Sequence, residues 1–129
     1  MPRVKQVTAW VESRPGVLGE VAAAMGAKKV NMQAFVAMIV GGRGAIRMVV
    51  DKPAAAEKVC VQHGWQMTED DVVQVTMPDK PGSLGVVAAK LGEAGINIDY
   101  AYVGTAKSAS KVNLYLSVSD VVNALKVLR

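Results

Sequence analysis

Arg14-Pro15-Gly16-Val17-Leu18-Gly19 and Lys80-Pro81-Gly82-Ser83-Leu84-Gly85 are two versions of one hexapeptide, 66 residues apart. The register holds beyond them. Val21-Ala22-Ala23 returns as Val87-Ala88-Ala89, Gly26 as Gly92, and Val30-Asn31-Met32 as Ile96-Asn97-Ile98. An ungapped match that keeps Pro, Gly and Asn in place marks an internal duplication, and a duplication decides the architecture before any single element does.

Each copy reads as the same series of elements. Ahead of the hexapeptide, Val4, Gln6, Thr8 and Trp10 alternate with Lys5, Val7, Ala9 and Val11, a β-branched run that predicts a strand. Residues 72–77 are its counterpart. The Pro-Gly pair marks a turn. Leu18, Val21, Ala22 and Met25, repeated as Leu84, Val87, Ala88 and Leu91, fall at i, i+3, i+4 and i+7 and predict a helix with one face on a sheet. Gly95 suits a left-handed C-cap, and its counterpart Lys29 makes the weaker one. Strands over residues 30–40 and 96–103 follow. A turn comes next, Gly41-Gly42-Arg43-Gly44 in one copy and residues 105–110 in the other, and strands return over 45–51 and 111–118. Pro53 suits the first turn of a helix that carries Val59, Cys60 and His63. Asp120 suits the N-cap of one that carries Val121, Leu125 and Leu128. Residues 65–68 read as a short fourth strand of the first copy.

The order β-α-β-β-α-β, then β-α-β-β-α, predicts an α+β fold. It consists of two ferredoxin-like βαββαβ units in tandem, residues 1–70 and 71–129, with antiparallel sheets and helices on one face. The second copy stops where its fourth strand should begin. That strand is absent, truncated, or supplied by another molecule. An uncovered edge invites pairing, which favours a homo-oligomer, in the simplest case a dimer.

Of the 129 residues, 51% are hydrophobic and 20% charged, a globular balance. No apolar run approaches the roughly 20 residues of a membrane helix. No apolar leader follows Met1, and Cys60 is the only cysteine. A soluble protein of the reducing cytoplasm is expected, with no membrane partner. The net charge of +4 comes from dispersed basic residues and reads as a solvated surface. Tyr100 and Tyr102 alternate onto one strand face, but no RNA-binding aromatic string accompanies them, so no nucleic-acid partner is expected. Cys60 and His63 share a helix face, yet two ligands are too few for a structural zinc. No nucleophile–base arrangement and no phosphate loop is present, so neither catalysis, a metal nor a cofactor is expected. Glu69-Asp70-Asp71 reads as a solvated link, and Met25, Met32, Met48 and Met77 as core fillers.

Asp79-Lys80-Pro81-Gly82-Ser83-Leu84-Gly85, the helix over 86–91 and Gly95-Ile96-Asn97-Ile98 resemble the ACT domain. Arg14-Pro15-Gly16-Val17-Leu18 with Val30-Asn31-Met32 is a looser version of the same pattern. The resemblance implies a regulatory protein that binds a small-molecule amino acid between ACT units and controls a metabolic enzyme partner or its own assembly. It places ligand contacts on Arg14, Pro15, Gly16, Val17 and Leu18 with Asn31 and Met32. In the second copy they fall on Asp79, Lys80, Pro81, Gly82, Ser83 and Leu84 with Asn97 and Ile98. Ser13 stands where the second copy has Asp79, so the second site is the one equipped to hold an ammonium. Physical chemistry alone points the same way. A Pro-Gly loop opening a helix offers backbone N–H groups to a carboxylate, Gly16 and Gly82 permit close approach, and Asn31 or Asn97 can both donate and accept. The same residues also fit a plain tight turn, with the asparagines bonded to neighbouring backbone. The alternative function is an interaction subunit of an amino-acid-metabolism enzyme, without a ligand site of its own.

Overall fold

The computed structural model describes residues 2–129. Its elements run β1 (Arg3–Val11), α1 (Val17–Ala27), β2 (Met32–Val40), β3 (Arg43–Val50), α2 (Pro53–His63), β4 (Gln66–Pro78), α3 (Ser83–Glu93), β5 (Ile98–Thr105), β6 (Lys111–Val118) and α4 (Val121–Val127). The fold is α+β and ferredoxin-like. The chain divides into two compact units, Lys5–Asp70 and residues 2–4 with 71–129, called the first and second unit below.

In the first unit β3 lies between β1 and β2 and is antiparallel to both, with Val7 opposite Met48 and Phe35 opposite Met48 on the far side. The period of two sends Val7, Ala9 and Val11, with Ile46, Met48 and Val50, to one face. There they meet Val21 and Met25 of α1 and Ala56, Val59 and Cys60 of α2. The inward stripe of α1 is Val17, Val21, Ala24 and Met25, a shift from the expected one. Leu18 is 37% exposed and Ala22 is exposed. The helix starts at Val17 on a glycine cap, which turns Val17 rather than Leu18 towards the sheet. In α3, likewise, Leu84 is exposed while Leu91 is buried.

Two local devices set the strand ends. Gly41 and Gly42 both have positive φ, 58° and 79°, and Val40 pairs directly with Arg43. This two-residue hairpin turn matches the twist of its strands only with left-handed residues, so β3 begins at Arg43, earlier than expected. Helix α1 ends in a Schellman turn, in which the N–H of Val30 donates to the C=O of Met25 at 3.0 Å and that of Lys29 to Gly26 at 2.9 Å. Ile96 and Gly95 repeat this on Leu91 and Gly92 at 2.9 and 3.0 Å.

The second unit repeats the plan. The later part of β4 pairs with β6, and β6 with β5, all antiparallel. Val73, Val75, Met77, Leu114 and Leu116 pack on Leu91 of α3 and on Ala124 and Leu128 near α4. The strands expected at 65–68 and 72–77 are one continuous strand, β4. Beside it, where a fourth strand of the second unit was expected to be missing, lie the first residues of the same chain. The Gln74 N–H donates to the Pro2 C=O at 3.0 Å, and Arg3 pairs with Asp71 at 3.8 Å. Glu69, read as solvated, pairs with Lys5 at 3.0 Å. Met25, Met48 and Met77 are buried, and Met32 packs on the first core. No helix among the described residues is long and apolar enough to cross a membrane.

Candidate functional site

Both Pro-Gly loops fold into the same turn. The Val17 N–H donates to the Arg14 C=O at 3.3 Å, and the Ser83 N–H to the Lys80 C=O at 3.3 Å. Proline holds the second position and glycine the third, with φ 88° and ψ −9° at Gly16 and φ 89° and ψ −12° at Gly82. These are type II angles, which need a left-handed third residue. The same glycine is the N-cap of the following helix, and it has no side chain to cap with. The first-turn N–H groups of Leu18 and Gly19, and of Leu84 and Gly85, therefore lack both an intrahelical acceptor and a side-chain one. Together with the positive end of the helix they favour an anionic oxygen.

The two loops differ in what surrounds them. In the second unit a cleft of about 430 Å³ lies beside the turn, with Lys80, Pro81, Gly82 and Ser83 on one side and Val75, Met77, Val86 and Val87 on the other. The Ser83 hydroxyl is buried there and has no hydrogen-bond partner, an uncommon state for a buried polar atom. Lys80 forms no ion pair among the described residues. In the first unit Arg14 is bonded to Glu20, whose hydrogen bond and charge raise the guanidinium pKa. Val86 stands at the position of Glu20 in the second copy, which leaves Lys80 without such a neighbour. The first-unit cleft is smaller, about 200 Å³, and runs from Ser13, Val17 and Leu18 to Ala37, Met38 and Ile39 of β2.

The asparagines lie elsewhere. The Asn31 N–H donates to Asp51 Oδ1 at 2.9 Å, and the Asp51 N–H returns to the Asn31 C=O at 3.2 Å. The Asn97 N–H donates to Ser119 Oγ at 3.1 Å and its Nδ2 to Asp99 Oδ1 at 2.9 Å. Asp51 and Ser119 follow the ends of β3 and β6. The loops sit at the starts of those strands, since Val11 pairs with Gly44 and the Asp79 N–H donates to the Ser110 C=O at 3.0 Å. Each of these strands has 8 residues, a span of about 25 Å. Each unit thus gathers its own loop, Arg14 to Leu18 or Asp79 to Leu84, at one end. It holds Asn31 with Met32, or Asn97 with Ile98, at the other.

Sequence reasoning passed over the apolar wall of the second cleft. Met77 reads as a core filler and Val87 as part of the helix stripe, while Val75 and Val86 carry no role beyond their strand and helix. The exchange of Glu20 for Val86 across the repeat was the available signal. Other candidates are already engaged. Burial raises the Cys60 thiol pKa, the His63 ring stacks on Trp65 at 4.5 Å, and Tyr102 is buried against Tyr115 at 5.6 Å. No group of three metal-ligating side chains occurs among the described residues.

The ACT domain family model matches residues 72–127, which lie in the second unit. No curated protein matches the chain in sequence. Among solved structures, protein BT0572 from Bacteroides thetaiotaomicron is 25% identical, with a TM-score of 0.86 over 98% of this chain and 86% of that one. The regulatory subunit of aspartate kinase from Thermus thermophilus is 15% identical, with a TM-score of 0.70 over 96% of this chain and 89% of that one. A structure of aspartokinase alpha and beta subunits is 18% identical, with a TM-score of 0.63 over 99% of this chain and 95% of that one. The last two share the fold.

Proposed function

We propose that this chain is a cytoplasmic regulatory protein of two tandem ACT units rather than an enzyme. In this reading it binds a small amino acid at the Pro-Gly turn and passes occupancy on to a metabolic enzyme partner or to its own assembly. The ACT domain over residues 72–127 supports a regulatory, amino-acid-sensing role. The observation that carries the site is the buried Ser83 hydroxyl, which has no partner among the described residues, at the foot of a helix without a side-chain cap and beside Lys80, which forms no ion pair among them. The ligand carboxylate meets the N–H groups of Leu84 and Gly85 and the Lys80 ammonium. Asp79 accepts from the ligand ammonium, and the apolar wall of Val75, Met77, Val86 and Val87 favours an aliphatic side chain.

One unit cannot bring its own asparagine to its own loop, because a strand length separates them. A ligand that touches both kinds of residue therefore needs the Asn-bearing strand start of another unit, which in this reading a second copy of the chain supplies. The edge strand β2 supports such pairing. Its sequence MQAFVAMIV carries no charge, and Phe35 and Ile39 are 48% and 69% exposed, an edge without the usual guards against pairing. A ligand held across that interface favours the assembled state.

The test is a thermal-shift screen of the purified chain against the standard amino acids. At 100 times its dissociation constant a ligand adds about 2.7 kcal/mol, a shift of several degrees for a chain of this size. One or two aliphatic responders are expected, with the response lost in Lys80→Ala and Ser83→Ala and kept in Arg14→Ala. A flat response from the wild type overturns the proposal and leaves the interaction-subunit reading.

A further inference from the structure

We propose that the second unit carries a separate anion site, on the sheet face turned away from its helices, that takes the phosphoryl group of a small molecule. Residues 73, 75 and 77 of β4 and 114 and 116 of β6 point at the helices, so Gln74, Thr76 and Asn113 point the other way. Over them folds the β5–β6 connection. The result is a concavity of about 380 Å³ lined by Gln74, Thr76, Lys107, Ser108, Lys111 and Asn113, within the usual size range for small-ligand pockets.

Its floor and rim are both fixed. The Thr76 hydroxyl donates to Asn113 Oδ1 at 2.6 Å, and Asn113 Nδ2 donates to the Thr105 C=O at 3.0 Å. The connection is closed by the Lys111 N–H on the Ser108 C=O at 3.2 Å and by the Ser108 and Ser110 hydroxyls at 3.1 Å. The charge balance is one-sided. Lys107 and Lys111 open onto one concavity that contains no carboxylate, and neither takes part in an ion pair among the described residues. Two like charges held together favour an anion between them. Ammonium point charges beside hydroxyl and amide donors suit a tetrahedral oxyanion more than the planar, forked geometry that arginine serves. Thr76 lines both this concavity and the Pro-Gly cleft, but Gln74, Lys107, Ser108, Lys111 and Asn113 line this one alone, and the proposal does not depend on the reading of that cleft.

The experiment titrates the full chain with inorganic phosphate, pyrophosphate and acetate by calorimetry at constant ionic strength. Phosphate and pyrophosphate are expected to bind at least ten-fold more tightly than acetate. Lys107→Ala/Lys111→Ala should weaken phosphate at least ten-fold, and Lys107→Arg/Lys111→Arg should retain part of the affinity. Lys28→Ala/Lys29→Ala removes the same charge elsewhere and should leave binding unchanged. Circular dichroism confirms that each variant folds. Equal losses in the two alanine pairs, acetate as tight as phosphate, or no phosphate binding by the wild type would each overturn the proposal.

Discussion

Lys29 is the one described non-glycine residue with positive φ, at 58°, and the repeat supplies its own control in Gly95 at 72°. Both close Schellman turns of the same hydrogen-bond pattern. A left-handed conformation costs an L residue about 1–2 kcal/mol, while glycine gives up about 0.5–1 kcal/mol more backbone freedom on folding. The difference leaves Lys29→Gly stabilising by about 0.5–1 kcal/mol, or about 2–4 °C for a chain of this length. The side chain is exposed, and the contact that Lys52 Nζ makes goes to the Lys29 carbonyl at 3.0 Å, which the substitution keeps. Gly95→Lys should destabilise by the same amount. Urea and thermal unfolding followed by circular dichroism read both. A midpoint that falls in Lys29→Gly, or no change in either variant, refutes the reasoning that conformation alone separates these caps.

Three further outcomes are expected. Asp120 accepts from the Asn123 N–H at 3.1 Å and from Asn123 Nδ2, and the first of these bonds leads in lowering its pKa below the ordinary carboxylate value. A lowered folded pKa means stability that is present above the unfolded value and lost as pH falls through the folded one. Asp120→Asn should therefore keep the cap at pH 7 and flatten the acid limb of melting temperature against pH below about 4; an unchanged limb counts against this. The buried Cys60 thiol, its pKa raised by burial, should react with a thiol reagent only at the rate of unfolding; rapid labelling of the native chain would contradict that burial. A Cβ on Gly44 would lie 3.0 Å from Val11 Cγ2 and 3.2 Å from the Val11 carbonyl oxygen. Gly44→Ala should cost about 1–3 kcal/mol by overpacking, whereas Gly92→Ala, inside α3 with nothing nearby, should gain about 0.5–1 kcal/mol; matched denaturation midpoints distinguish them.

Much of the fold was legible because local signals agreed with the repeat. Pro-Gly at the turns, Pro53 at a helix start, Asp120 at a cap and Gly95 at a stop each demand one backbone geometry, and each adopts it. Less legible was what local chemistry does not encode. The phase of α1 depends on a one-residue difference in where the helix starts, and Leu18 and Val17 are equally apolar. The strand partner of Gln74 is Pro2, at the far end of the chain, and no short-range pattern signals a pairing of that sequence separation. At the candidate site, the turn conformation of the loops was readable and their distance from Asn97 was not. A β-α-β path returns a chain to the opposite end of the sheet, so residues close in sequence across a helix finish a strand apart.

The differences between the copies are therefore more informative than their likeness. Both turns reproduce the same angles to within a few degrees, which the Pro-Gly pair alone requires, so the shared geometry cannot say which loop binds. Under the proposed function, Glu20 against Val86 distinguishes them. In the first unit a carboxylate occupies the loop cation and the small cleft lies towards β2. In the second, among the described residues, the cation takes part in no ion pair, a hydroxyl is buried without a partner, and the wall is aliphatic. A duplicated turn whose cation is paired in one copy and takes part in no ion pair among the described residues in the other favours, under the proposed function, one ligand per chain. Glu20→Val should then unmask the Arg14 loop without recreating the second cleft, adding anion affinity there and no preference among aliphatic side chains.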